Sequence, residues 1–324
     1  MKFYDIFNGD ADGICALHQL RLSVPRNAEL VTGTKRDITL LKAVRPKAGD
    51  QVTVLDVSLD ANRTELLAML ERGASVSYFD HHFAGDIPNH RYFVSYIDTS
   101  AEICTSLIVD RHLGGAYRKW AVAAAFGDNL HRSAFAAASS LGLGATQVGA
   151  LRELGECLNY NAYGLDLSDL HFHPADLYRR LQAFADPLAF HASSPEITVL
   201  RKALTEDLAR ARQLPLQDKG DKTLAVILPD TTWTHRIAGI YANEIARAHP
   251  KETIALLSDG PNGYRVSLRG PDGAKLLRVA RAFDTGGGRQ RAAGISLLPK
   301  RALPELWALL AQETATGPVD DEMR

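Results

Sequence analysis

Carboxylate and imidazole side chains follow three strand-like runs of this sequence, and together they could bind a metal ion. These side chains are Asp10 and Asp12 after residues 2–7, Asp56 after residues 51–55, and Asp80, His81 and His82 after residues 74–79. Carboxylates held close together repel each other unless a cation neutralises them. Any one of these residues could instead cap a helix or pack as a core histidine, but the combination favours a metal site. Oxygen-rich ligands with one or two imidazoles prefer hard or borderline ions, so we expect Mn²⁺, with Mg²⁺ as the alternative.

The strand-like runs alternate with helix-like segments, which predicts an α/β fold. Strands are predicted near residues 2–7, 28–33, 51–57 and 74–79, and helices near residues 13–22, 37–44, 60–72 and 101–113. Alternating elements of this kind form a mostly parallel sheet with helices on both faces. Because parallel strands end at the same edge of a sheet, the acidic residues and histidines should converge in one crevice there.

The remainder of the chain predicts a helical lobe and a second, smaller α/β domain. Residues 117–188 are rich in alanine and leucine and read as predominantly helical. The predicted divisions are a metal-binding catalytic domain over 1–191, a helical linker over 192–222, a substrate-binding domain over 223–313 and a flexible polar tail over 314–324.

The second domain contains a glycine triplet followed by arginines, which could bind an anion. The triplet and its neighbours are Gly286, Gly287, Gly288, Arg289 and Arg291, and a strand-like run nearby ends in Arg269. Glycines let backbone N–H groups approach an anion closely, and arginines add charged donors. A glycine triplet alone is more typical of a flexible loop, but the neighbouring arginines favour phosphate binding.

Four motifs in this order resemble the DHH phosphoesterase superfamily with its associated carboxy-terminal domain. They are N-G-D-A-D-G, V-L-D-V-S, D-H-H and G-G-G-R-Q-R-A-A-G, and the resemblance covers nearly the whole chain. Members include single-strand exonucleases, nanoRNases, phosphatases of 3'-phosphoadenosine 5'-phosphate and cyclic-dinucleotide phosphodiesterases. The tryptophan-led segment beginning at Trp233 looks like a helix of the exonuclease branch.

The resemblance implies a role for each residue of a two-metal centre. Asp56 would bridge two metal ions, with Asp10 on the first ion and Asp12 and His81 on the second. Asp128, in a Gly-Asp context, would be a further metal ligand. The remaining roles fall on His82, which would face the phosphate, and on Asp80, which would orient the histidines.

Two residues depart from the commonest family pattern. Asn8 stands where many members have a histidine ligand, and a carboxamide oxygen is a weaker ligand for the first metal. Arg289 stands where the glycine motif usually continues with histidine, and arginine binds phosphate without exchanging a proton. Both departures indicate a subfamily with its own substrate.

Composition excludes several other classes of protein. The 324 residues carry a formal net charge of −1, which does not fit a protein that wraps long duplex nucleic acid. Three cysteines without a CxxC pair indicate neither a disulfide framework nor a zinc ribbon. The sequence has no apolar run long enough to span a membrane and no secretory leader, so we expect a soluble, cytoplasmic protein.

Lys35 and Arg36 follow the second predicted strand and are interpreted as a solvated pair, with phosphate contact as the alternative.

Together these features predict a Mn²⁺-dependent phosphodiesterase in which two metal ions activate a water. Its substrate would be a short oligonucleotide or a small nucleotide. The alternatives are a phosphomonoesterase acting on 3'-phosphoadenosine 5'-phosphate, a pyrophosphatase or polyphosphatase, a cyclic-dinucleotide phosphodiesterase, and a nucleotide-binding sensor without catalysis. The sequence does not predict the oligomeric state.

Overall fold

A computed structural model of the chain describes residues 1–289 and 292–315. The chain divides into two units, Met1–Ala203 and Leu204–Arg324, and each is built on its own β-sheet.

The sheet of the first unit has five parallel strands in the order β2-β1-β3-β4-β5. The strands are β1 (Phe3–Phe7), β2 (Glu29–Val31), β3 (Gln51–Leu55), β4 (Ser75–Asp80) and β5 (Phe93–Ile97). Strand β2 lies on one side of β1, whereas β3, β4 and β5 follow one another on its other side. The direction in which the sheet is built therefore reverses between β1 and β3. In open parallel sheets, ligands bind beyond the carboxyl ends of the strands at this reversal. Asp10 and Asp56 follow the two strands that flank it.

Eight of the described helices lie within the first unit, and a ninth, α9 (Pro195–Ala211), continues across its boundary into the second unit. The eight are α1 (Ala11–Ser23), α2 (Arg63–Glu71), α3 (Thr105–His112), α4 (Arg118–Gly127), α5 (His131–Ser139), α6 (Ala145–Ala162), α7 (Pro174–Leu181) and α8 (Pro187–Ser193). On one face of the sheet, Ile6, Val54 and Tyr78 pack into a core with Leu66 and Met69 of α2. The alternation of side chains along each strand turns the intervening residues towards the other face. Helix α1 contacts the sheet and packs with α3, α4, α6 and α7, and the last three of these helices lie in the helical lobe predicted over residues 117–188.

The second unit is a six-stranded mixed sheet in the order β10-β11-β9-β8-β7-β6. Its elements are β6 (Gln217–Asp218), β7 (Thr223–Leu228), α10 (Thr232–Ala248), β8 (Thr253–Ser258), β9 (Tyr264–Arg269), α11 (Gly273–Arg281), β10 (Gly286–Arg289), β11 (Ala292–Leu298) and α12 (Leu303–Ala315). The pair β7–β8 is parallel, and the other described pairs are antiparallel. Leu257, Val266 and Ile295 from the strands pack with Leu276 and Leu306 in its core.

The predicted α/β class is confirmed, with a parallel sheet in the first unit and a smaller mixed sheet in the second. The helix predicted near residues 37–44 is wrong: this stretch is a loop with one short 3₁₀ turn, Leu40–Ala43. The side chain of Asp37 instead accepts hydrogen bonds from the backbone and hydroxyl of Thr34, which closes a turn before the segment. Strand β5 was not predicted.

The domain boundaries stay a prediction, and the predicted tail beyond residue 315 lies outside the described residues. None of the described helices is long and apolar enough to cross a membrane.

Candidate metal centre

Two close backbone approaches shape the turn that places Asp10 and Asp12 at the edge of the sheet. A Cβ atom on Gly9 would lie 2.0 Å from the carbonyl oxygen of Gly33, and one on Gly13 would lie 2.1 Å from that of Asn8. Only glycine fits at these positions. Asp10 caps α1, because its Oδ1 accepts hydrogen bonds from the backbone N–H groups of Asp12 and Gly13, both at 3.0 Å.

Asp56 has an unusual backbone conformation. Its φ is +59°, in the left-handed region, and its N–H donates to the carbonyl of Phe79 at 3.0 Å. Asn129, directly after Asp128, also has a positive φ, of +61°. Left-handed residues other than glycine cost of the order of 1–3 kcal/mol each and concentrate at functional sites. Here one strained residue, Asp56, is a predicted metal ligand, and the other directly follows a second predicted ligand, Asp128.

Hydrogen bonds fix the orientation of both histidines. His81 Nδ1 lies 3.0 Å from the carbonyl oxygen of Ile103, so Nδ1 must carry the proton and donate it. This leaves the lone pair of Nε2 to face Asp56 Oδ1 at 3.4 Å and Asp128 Oδ2 at 3.8 Å. An unprotonated Nε2 facing two carboxylates is the arrangement that a metal ligand requires.

His82 is held by Asp80. Its Nδ1 lies 2.7 Å from Asp80 Oδ1, which also accepts from the backbone N–H of His81 at 2.9 Å. Asp80 is fully buried, and its Oδ2 has no hydrogen-bond partner among the described residues. The arrangement turns Nε2 of His82 away from Asp80, and the His82 side chain is 28% exposed.

Asp12 sits at the amino terminus of α3. Its two carboxylate oxygens accept from the backbone N–H groups of Thr105 and Ser106, both at 2.7 Å. The hydroxyl of Thr105 also donates to Asp56 Oδ1 at 3.2 Å. Each carboxylate oxygen keeps a further lone pair that can bind a cation. The start of α3 therefore ties two of the candidate ligands together.

Asp128 reaches the centre through a close contact between α4 and α6. A Cβ atom on Gly155 would lie 1.9 Å from the carbonyl oxygen of Ala123, and one on Gly127 would lie 2.5 Å from the Cβ of Ala11. These two glycines let the helices approach each other and α1 closely enough to place Asp128 opposite Asp12.

Two groups of side chains could hold a metal ion among the described residues. Their ligand atoms lie within 4.8 Å of one another, and the groups are Asp12, His81 and Asp128, and Asp56, His81 and His82. The donor set of carboxylates and one or two imidazoles fits a divalent ion such as Mn²⁺ or Mg²⁺.

The electrostatics of the cluster also favour a cation. Burial, followed by repulsion from Asp12, Asp10 and Asp128, raises the pKa of Asp56 well above its usual range. Burial and the charge of Asp128 likewise raise the pKa of Asp12. Burial acts in the same direction on Asp128, but the positive charge of Lys35 and its hydrogen bond outweigh burial and lower this pKa to about 2. Without a cation, Asp56 and Asp12 resist ionisation, and a bound divalent ion would relieve that strain.

Lys35 belongs to this centre, which the sequence did not predict. Its ammonium contacts Asp10 Oδ2 and lies 2.9 Å from Asp128 Oδ1 and 3.2 Å from Asn159 Oδ1. Asn8, predicted as a metal ligand, donates from Nδ2 to the backbone carbonyl of Lys35 at 3.3 Å and accepts from Asp10 N–H at 3.3 Å. The signal available in the sequence was the position of Lys35 just after a strand that ends at the site edge.

Those predicted anion-binding residues of the second unit that the structure describes lie in strands. Gly286, Gly287, Gly288 and Arg289 form β10, which pairs with β11. A Cβ on Gly286 would lie 1.6 Å from the carbonyl oxygen of Ala280, so close packing requires a glycine there. Arg269 donates to Asn243 Oδ1 at 2.8 Å and to the carbonyl of Leu268 at 2.9 Å. Arg291 lies outside the described residues, and the binding role of all these residues stays a prediction.

Comparison with known proteins identifies related folds. Residues 220–316 match the DHHA1 domain family. RecJ from Thermus thermophilus in complex with Mn²⁺ has a TM-score of 0.66 at 20% identity, and the match covers 98% of this chain but only 52% of that one. An exonuclease RecJ bound to manganese has a TM-score of 0.62 at 19% identity, with 98% and 91% of the two chains covered. The pGpG-specific phosphodiesterase PggH from Vibrio cholerae has a TM-score of 0.60 at 16% identity, with 97% and 100% covered. No curated protein matches the sequence significantly.

Proposed function

We propose that this chain, whose motifs, fold and DHHA1 domain are those of the DHH superfamily, is a metal-dependent phosphodiesterase acting on short oligonucleotides or small nucleotides. The observation that carries the proposal is the cluster of Asp12, Asp56, His81 and Asp128 at the reversal of strand order in the parallel sheet. The strained backbone of Asp56 and the mutual repulsion of the carboxylates support it.

The residues of the cluster would divide the work of hydrolysis. Asp12, Asp56, His81 and Asp128 would hold a divalent ion, which when bound lowers the pKa of a water ligand and polarises a phosphoryl oxygen. Asp80 fixes the ring of His82 through Nδ1, so that Nε2 can meet a phosphate oxygen. When His82 carries both protons, Nε2 can donate a hydrogen bond to the phosphate or a proton to the leaving oxygen.

We infer a short substrate from the nearly neutral charge of the chain. The net charge is −1, and tight binding of long nucleic acid depends on many cationic phosphate contacts. The match to a pGpG-specific phosphodiesterase makes a linear dinucleotide the first substrate to test.

The proposal assigns catalysis to residues 1–191 and substrate binding to residues 223–313, joined by the linker over 192–222. Arg269, the glycines of β10, Arg289 and Arg291 would bind the part of the nucleotide away from the cleaved bond.

Losing one charged donor typically costs about 1.5–3 kcal/mol, so Arg289→Ala should lower kcat/KM for a dinucleotide by roughly 10- to 150-fold. Bis-p-nitrophenyl phosphate, which carries no nucleotide, should be hydrolysed almost normally, and an equal loss on both substrates would place Arg289 at the reacting phosphate.

The deciding experiment is a hydrolysis panel on protein stripped with EDTA and then reloaded with Mn²⁺ or Mg²⁺. The substrates are linear dinucleotides, a pentanucleotide, a long single strand, a cyclic dinucleotide, 3'-phosphoadenosine 5'-phosphate and polyphosphate. We expect metal-dependent cleavage of the linear dinucleotides and the pentanucleotide, with a shallow salt dependence. Preference for 3'-phosphoadenosine 5'-phosphate or polyphosphate would favour those alternatives, and metal-dependent binding without turnover of any substrate would favour a sensor. Processive degradation of the long strand would overturn the short-substrate proposal.

A further inference from the structure

The ammonium of Lys35 occupies a socket built by four side chains from distant parts of the chain. The socket consists of Asp10 Oδ2, Asp128 Oδ1, Asn159 Oδ1 and the ring of Tyr163, whose centroid lies 5.7 Å from Nζ. An ammonium group has three N–H donors and here has three oxygen partners. The Lys35 side chain is 25% exposed, so most of it is shielded from solvent.

The backbone of Lys35 is fixed as well. Its N–H donates to the carbonyl of Ala162 at the end of α6 at 2.9 Å. Its carbonyl accepts from the Asn8 carboxamide at 3.3 Å. Asn8 therefore holds the segment that carries the lysine, and its Oδ1 is directed to the backbone of Asp10.

Both carboxylate oxygens of Asp10 have partners within the protein rather than a free position for a metal ion. Asp10 Oδ1 caps α1, and Asp10 Oδ2 pairs with Lys35. Asp10 belongs to neither of the candidate metal-binding groups among the described residues. Asp128 divides its oxygens: Oδ1 faces Lys35, and Oδ2 faces Nε2 of His81 on the metal side.

We infer that Lys35 replaces the first of the two expected metal ions, so that the chain binds a single divalent cation among Asp12, Asp56, His81 and Asp128. The ammonium neutralises Asp10 and one oxygen of Asp128, which is the role a metal ion would have had between those carboxylates. Lys35 is a positioning residue, since it holds Asp10 and Asp128 in place. The inference rests on the proposed metal-dependent function and specifies its metal content.

The test is the number of Mn²⁺ ions bound per chain, measured by equilibrium dialysis with elemental analysis and by electron paramagnetic resonance. The full-length wild-type protein should bind one ion and give the spectrum of an isolated Mn²⁺. Two ions with an exchange-coupled spectrum would overturn the inference and leave the proposed function intact. No specific Mn²⁺ or Mg²⁺ binding would overturn the proposed function and the inference with it.

Three variants test whether Lys35, rather than another residue, limits the protein to one Mn²⁺ ion per chain. Lys35→Ala removes the ammonium and leaves Asp10 and Asp128 facing each other, so the count should rise from one to two. Lys42→Ala, at an exposed lysine of the same unit, should leave it at one. Asn8→His adds an imidazole but leaves the lysine in place, and its count should also stay at one. A count of two in Asn8→His alone would show that the missing histidine, rather than Lys35, limits the site to one ion.

Discussion

Asp56→Asn removes one negative charge from the metal centre and leaves the shape of the side chain almost unchanged. Asp56 is only 2% exposed and has a φ of +59°, and asparagine tolerates this left-handed conformation as well as aspartate does. The amide oxygen can still accept from the hydroxyl of Thr105, which lies 3.2 Å from Oδ1. We therefore expect the fold to survive and the metal-free protein to become more stable, since burial and the neighbouring carboxylates raise the pKa of Asp56.

The size of the effect follows from linkage between metal binding and folding. An ion present at about 100 times its Kd stabilises the native state by about 2.7 kcal/mol. In a unit of this size, one kcal/mol shifts Tm by roughly 2–4 °C, so Mn²⁺ should raise the wild-type Tm by about 5–11 °C. Asp56→Asn should lose most of this increase at the same Mn²⁺ concentration, and its Mn²⁺-dependent hydrolysis should fall to background.

The assay is thermal unfolding in EDTA and in a series of Mn²⁺ concentrations, combined with the hydrolysis assay. Asp176→Asn makes the same chemical change at a carboxylate whose side chain is 65% exposed, and it should behave like the wild type. A Mn²⁺-induced Tm increase in Asp56→Asn equal to that of the wild type would refute the role of Asp56 as a ligand. A metal-free variant several degrees less stable than the wild type would refute the repulsion argument.

Three further outcomes are expected. The pKa values of Asp12 and Asp56 are raised in the folded metal-free protein, so their protonation stabilises it below the ordinary carboxylate pKa of 3.8. This stability is lost as pH rises through the raised pKa values. Protons compete with the metal ion for these carboxylates over the same pH range. The Tm difference between Mn²⁺ and EDTA should therefore shrink as pH falls from neutral towards 3.8, and a difference that grows would contradict the assignment. Burial lowers the pKa of His18 from 6.5 to about 4. The neutral ring therefore contributes stability on the order of 3 kcal/mol above pH 6.5, and this stability is lost as pH falls to 4. The variant His18→Gln should flatten this acid dependence of the unfolding free energy in denaturant titrations. Gly155→Ala should lower Tm and weaken Mn²⁺ binding because its Cβ would meet a carbonyl oxygen at 1.9 Å, whereas Gly149→Ala, with nothing within 4 Å in the same helix, should stabilise by about 0.5–1 kcal/mol.

The sequence predicted the parts of the centre that depend on local pattern. Asp10, Asp12, Asp56 and His81 follow buried strands, and parallel strands must end at one edge, so their convergence needed no knowledge of side-chain contacts. Asp128 follows a helix, and only the family resemblance indicated it.

The remaining features depend on contacts that no local pattern encodes. Lys35 reaches Asp10 because its backbone pairs with Ala162 and its ammonium with Asn159, both far along the chain on α6. Strand β5 is half-exposed at the edge of the sheet and follows β4 without an intervening helix, so the alternation of strands and helices did not indicate it. The anion-binding role of Gly286 stays a prediction, but its place in β10 and its close approach to Ala280 of α11 follow only from the tertiary structure.

The close contact between α4 and α6 has a consequence for the kinetics of folding. Asp12, Asp56, His81 and Asp128 come from separate segments of the chain, and Asp128 is in place only after Gly127 and Gly155 have packed. Contacts between such distant segments form late, because each loop must first be closed at an entropic cost. A metal ion that binds only the completed centre stabilises the native state but not the transition state, so it should slow unfolding and leave the folding rate unchanged. Metal loading would then determine how long each folded molecule persists rather than how quickly it forms.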